Sequence, residues 1–67
     1  MSRAEKIQII QMKYRDMLPM FNERSRRYWA GAEAKALGNE GAMIVFQATG
    51  IAYNTVRAGL LELAHPK

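Results

Sequence analysis

Four α-helices, with the last two joined as a helix-turn-helix, are expected from this chain, which places it in the all-α class. Three features carry that expectation. Apolar residues recur at helical spacing through most of the sequence. Pro19, Gly38, Gly50 and Pro66 stand at the ends of the periodic segments. The only run rich in β-forming residues, 42–48, has no second run with which to pair.

The first helix is expected over residues 4–18. Ile7, Ile10, Tyr14 and Met17 form its apolar stripe, and Lys6, Lys13, Arg15 and Asp16 lie mostly off it. Ser2 followed by Glu5 three residues later reads as a capping box. Pro19 ends the helix, because a proline disfavours the α conformation in the residue before it. The second helix is expected over residues 23–37, with Asn22 as N-cap and Glu23 complementing the dipole. Trp29, Ala32, Ala36 and Leu37 mark its expected buried face, with Tyr28 at the edge, and Gly38 is its stop. A short third helix is expected over 42–48. Gly50 then supplies the tight turn, since glycine adopts positive φ without a Cβ clash. The fourth helix, 53–64, turns Val56, Leu60 and Leu63 inward, and Pro66 closes it. Two short helices joined by a glycine-containing turn of three or four residues describe a helix-turn-helix.

Sixty-seven residues allow a single domain, 1–67, with a modest core. There is no cysteine, so no disulfide, thiolate nucleophile or cysteine-based metal site is expected. The single histidine, His65, cannot build a metal cluster alone. The six carboxylates show no paired spacing with a histidine or a nucleophile, so no catalytic residue, cofactor or enzymatic activity is expected. No apolar run approaches the ~18–20 residues that span a bilayer. Charges interrupt the N-terminal apolar pattern, so a signal peptide is not expected and a cytoplasmic location is. The five methionines read as gap-fillers in the core. Net charge is +4 and the pI about 9.9, a weak bias toward polyanions.

The segments NERSRRYWAGAEAKALG and GAMIVFQATGIAYNTVRAGLLEL together resemble the N-terminal region of bacterial insertion-sequence transposases of the DDE type, often called Rhodopirellula-type transposases. Two motifs carry the likeness: ERSRR-x-WA from Glu23, and ATG-x-x-x-x-TVR-x-GL from Ala48. The likeness covers residues 14–63. It implies a helix-turn-helix module that binds the inverted-repeat ends of the element as double-stranded DNA in transposition. The family's catalytic domain, of ribonuclease-H type with three acidic metal ligands, has no counterpart in these residues. Binding without cutting or joining is therefore the implied activity.

The chain also departs from the family pattern. Ala52 replaces the usual serine N-cap of the last helix. Gln47, Tyr53, Ala58 and Leu61 stand where arginine is common. Phe46 stands where alanine is usual, at a position expected to lie where the two helices of the motif approach. Residues 39–67 carry Arg57 and Lys67 against Glu40 and Glu62, so their net charge is zero.

Two functional readings follow. In the first, the fourth helix enters the major groove with Tyr53, Asn54, Arg57, Ala58 and Leu61 outward. Arg57 suits guanine and Asn54 suits adenine by their donor and acceptor patterns. Thr55 and the cluster Arg24, Arg26 and Arg27 hold phosphates. The plainer alternatives are a salt bridge for Arg57, a helix-start role for Asn54 and a solvated face for the arginine run. In the second reading, Met43, Phe46, Tyr53 and Leu61 form an apolar patch that is buried in a homo-oligomer with little affinity for DNA.

Overall fold

The computed structural model describes residues 1–66. Lys67, counted above among the C-terminal charges, lies outside the described residues. The helices are α1 (Arg3–Met17), α2 (Glu23–Leu37), α3 (Gly41–Thr49) and α4 (Tyr53–Ala64), with a 3-10 turn at Leu18–Met20 and no strand among the described residues. The chain is an all-α domain. It forms a thick slab of 34 × 28 × 16 Å in which α2 packs against both α3 and α4, and α1 rests mainly on α3.

Local chemistry sets most helix ends. The Ser2 hydroxyl accepts from Glu5 N–H at 3.1 Å, and the Glu5 carboxylate accepts from Ser2 N–H at 3.2 Å. Asn22 and Ser25 make the equivalent exchange at α2, at 2.8 and 2.9 Å. α1 ends one residue earlier than expected, at Met17, but Leu18 is not pushed out of the α region by Pro19: at φ −52°, ψ −44° it stays right-handed and opens the 3-10 turn. α3 gains a residue at each end. Gly41 N–H bonds the carbonyl of Gly38 at 3.0 Å, and Gly50, at φ +78°, returns its N–H to Phe46 at 2.9 Å.

The core is small. Ile10, Ala30, Ala34, Val45, Ile51 and Val56 are buried together, and Tyr14, Trp29, Leu37 and Leu60 pack half-buried around them. Trp29 closes one edge of the core. Its ring stacks on Tyr14 at 5.6 Å and meets Phe21 at 5.4 Å, within the range of favourable aromatic pairs.

The buried face of α2 is not the expected one. Ala30, Gly31 and Ala34 are buried, whereas Ala32 and Ala36 are exposed. The reason is the closeness of the helices. A Cβ on Gly31 would stand 2.5 Å from the carbonyl carbon of Gly59, and a Cβ on Gly59 would meet the Arg27 carbonyl oxygen. Gly31 and Gly59 thus let the α2 and α4 backbones touch. At the start of α3, a Cβ on Gly41 would collide with the Ala34 carbonyl. Only the smallest residues fit on the face of α2 that two helices share. The methionines also depart from expectation: all five are exposed, including Met17 at 41%. Helices this close leave no irregular gaps for a flexible side chain to fill.

Candidate nucleic-acid interface

The last two helices are joined by Gly50, Ile51 and Ala52. The Thr49 hydroxyl donates to the Val45 carbonyl at 2.7 Å and accepts from Ile51 N–H at 3.0 Å, which folds the chain back immediately after Gly50. Ile51 is buried and anchors the turn to the core. Ala52 is extended at φ −53°, ψ 138°, and its side chain caps nothing. Only its carbonyl takes part, accepting from Thr55 and Val56 N–H at 2.9 and 3.1 Å. The first N–H groups of α4 therefore point outward without a side-chain acceptor.

α4 buries Val56 and Gly59 against α2 and turns Tyr53, Asn54, Arg57 and Leu61 outward. Tyr53, Arg57 and Leu61 follow one another at four-residue spacing and make one stripe. The Arg57 guanidinium lies over the Tyr53 ring, 5.9 Å from its centroid. Among the described residues Arg57 has no carboxylate partner, so the salt bridge considered for it does not form. Asn54 is exposed in the first turn. Ala58, expected outward, is half-buried, because its neighbour Gly59 draws that side of α4 down onto α2. Met43 and Phe46 are exposed on α3. Phe46 is 40% exposed, and the close backbone approaches are those of α2 with α4, at Gly31 and Gly59, and of α2 with α3, at Gly41.

The three arginines of α2 do not act as a cluster. Arg27 faces α4, where Nε lies 2.8 Å from Glu62 Oε1 and Nη2 donates to Oε2 at 3.4 Å. The Nε contact is ionic, since its hydrogen is not aimed at an acceptor. The Arg27 guanidinium holds the Glu62 carboxyl below its ordinary value, and the Tyr28 hydroxyl adds to the effect. Arg24 lies over the Tyr28 ring at 5.5 Å and donates to its hydroxyl at 3.5 Å. With Arg27, Glu62, Leu63, His65 and Pro66 these residues line an open cleft of about 630 Å³ at the C-terminal end of α4. Arg26 points to the other side. It lines a smaller cleft of about 270 Å³ with Tyr14, Thr49, Gly50, Ile51, Ala52 and Thr55, beside the start of α4. Its Nε is buried there without an acceptor.

Proximity in sequence had grouped Arg24, Arg26 and Arg27, although helical spacing alone sets Arg24 and Arg26 on opposite sides of α2. That α4 crosses between them, over Arg27, has no local signal in the sequence. The role of Arg3 was also not foreseen. It pairs with Glu40 at 3.1 Å and donates twice to Gln47 at 3.3 Å, tying the start of α1 to α3. Glu40 is the single non-glycine residue at positive φ among the described residues, at +64°.

Among the described residues no group of three or more His, Cys, Asp or Glu side chains is placed to hold a metal ion. No helix among them is long and apolar enough to cross a membrane. Comparison with family models, curated proteins and solved structures gives no match.

Proposed function

We propose that this chain binds double-stranded DNA through α4, as the second helix of a helix-turn-helix formed by α3, the Gly50–Ala52 turn and α4. The observation that carries the proposal is Arg57. It stands at the centre of an exposed stripe that holds no carboxylate, and no acidic side chain among the described residues satisfies it. A guanidinium left free on a helix face suits guanine in the major groove, and Asn54, one turn earlier, suits adenine. Tyr53 orients Arg57 from below. Thr55 and Arg26 sit at the cleft beside the α4 N-terminus, where a backbone phosphate would meet both unsatisfied N–H groups and positive charge. Arg27 is withdrawn from that role by Glu62. The resemblance to transposase end-binding modules points to an inverted-repeat end as the target and to binding without DNA chemistry.

Binding to a duplex at about 50 mM salt should weaken steeply as salt rises, since phosphate contacts release counterions. Arg57→Ala should cost ~1–3 kcal/mol on a preferred sequence and relax discrimination at one position. Absence of any mobility shift with duplex DNA at that salt sinks the proposal.

A second reading keeps its own support. Met43, Phe46, Tyr53 and Leu61 are all more than a third exposed, with Leu61 at 59%. Burying them in a homo-oligomer removes apolar surface from water. Against it, a two-fold interface across α4 would bring two Arg57 side chains together with no acid between them. Light scattering separates the readings: self-association predicts a dimer or larger species that dissociates on Leu61→Arg.

A further inference from the structure

Arg24 and Arg26 are two residues apart on α2, so they project roughly 200° apart around it. Between them runs the Arg27, Gly31 and Ala34 face. That face receives α4, with Gly31 against Gly59 and Arg27 against Glu62. The two guanidinia therefore emerge toward opposite ends of α4. Arg26 emerges beside its first turn, with Ala52 and Thr55, and Arg24 beside its last, with Glu62 and Leu63. Neither has a carboxylate partner among the described residues. Arg26 has a buried Nε with no acceptor, and Arg24 is held out toward the cleft by Tyr28.

The twelve residues of α4 span about 18 Å, and the major groove of B-DNA is about 12 Å wide. A helix set across that groove brings each of its ends to one sugar-phosphate backbone. We propose that Arg24 and Arg26 are a two-ended clamp, each gripping a phosphate of a different strand while α4 lies across the groove. The inference rests on the DNA-binding reading above and adds which arginines of α2 act and on what: one phosphate each, on the two strands of a duplex. Arg27, three residues from Arg24 and one from Arg26 but locked to Glu62, lies between them and contacts no phosphate.

Phosphate contacts are independent of sequence, so a random 20-base-pair duplex serves as the probe. Its affinity is measured by fluorescence anisotropy between about 50 and 200 mM salt for the intact chain, Arg24→Gln, Arg26→Gln, the double variant, and Lys35→Gln. Lys35, at the far end of α2, carries the same charge change outside both clefts. Each neutralised contact should lower the slope of log affinity against log salt by about 0.9, which is about 3.5-fold less loss over a fourfold rise in salt. The double variant should lower the slope by about 1.8, about 12-fold less loss over the same rise, and Lys35→Gln should change nothing. Thermal melts should be unchanged for all four, because none of these side chains holds an ion pair. Binding by the intact chain with unaltered slopes in the arginine variants overturns the clamp and leaves the DNA reading standing. An equal loss from Lys35→Gln also overturns it, by reducing the effect to overall charge. No binding by the intact chain overturns both.

Discussion

At the residue scale, Ala52 and Glu62 make opposite contributions to α4. Ala52 has the extended backbone of an N-cap but offers no side-chain acceptor. Ala52→Ser should therefore stabilise the fold by about 1 kcal/mol and raise the melting temperature by roughly 4–8 °C, with the gain read by thermal denaturation. An unchanged melting temperature would show that the first turn of α4 is already satisfied. Glu62 fastens the other end of α4 to α2. Its carboxyl has a lower pKa folded than unfolded because the Arg27 guanidinium stands against it. The folded state thus holds fewer protons than the unfolded state as pH falls past the ordinary carboxylate value. The stability that Glu62 confers is complete above that value and is lost as pH drops through the depressed folded pKa. Melting temperatures followed from about pH 7 to about pH 3 should fall less steeply for Arg27→Gln than for the intact chain. Parallel curves would mean that the pair carries no linkage.

At the scale of elements, the decisive contact is the crossing of α2 over α4. Glycine inside a helix ordinarily costs about 1 kcal/mol relative to alanine. Here the sign should reverse. A methyl group on Gly31 or Gly59 would drive into the backbone of the opposite helix, which no side-chain rotation relieves. Gly59→Ala should destabilise by about 2–3 kcal/mol in chemical denaturation, within the range for overpacked sites. A neutral or stabilising effect would contradict the crossing geometry. The helix ends were legible in the sequence because caps and stops are local: Ser2 with Glu5, Asn22 as N-cap, and Gly50 at its turn depend on neighbours within a few residues. The inward face of α2 was not legible. Trp29 and Leu37 drew attention by size, while the shared surface was made from Ala30, Gly31 and Ala34. Small residues give a weak apolar signal, yet they alone permit two helices to touch. The same crossing divided Arg24, Arg26 and Arg27 into three environments, and sequence spacing within α2 carried no information about α4. On α4 itself the outward stripe of Tyr53, Asn54, Arg57 and Leu61 followed directly from periodicity, and only Ala58 departed from it.

At the scale of the whole molecule, the distribution of charge matters more than its total of +4. Arg3, Lys13 and Arg27 are each neutralised by Glu40, Glu33 and Glu62. Of the cations without a carboxylate partner among the described residues, Arg24, Arg26 and Arg57 are arranged around α4, two at its ends and one on its outer face. Zero net charge over residues 39–67 therefore understates the field around this helix, because α2 supplies cations that the tally of the C-terminal half omits. The exposed Phe46 and Leu61 pull toward self-association, and the free guanidinia pull toward a polyanion. Titration of a random 20-base-pair duplex with the intact chain, at about 50 mM and again at about 200 mM salt, tests the central claim most directly. The account predicts saturable binding by a monomer that weakens by tens-fold over that range, as two to three phosphate contacts require. Binding that does not respond to salt, or none at the lower salt alongside a stable oligomer in light scattering, would contradict it.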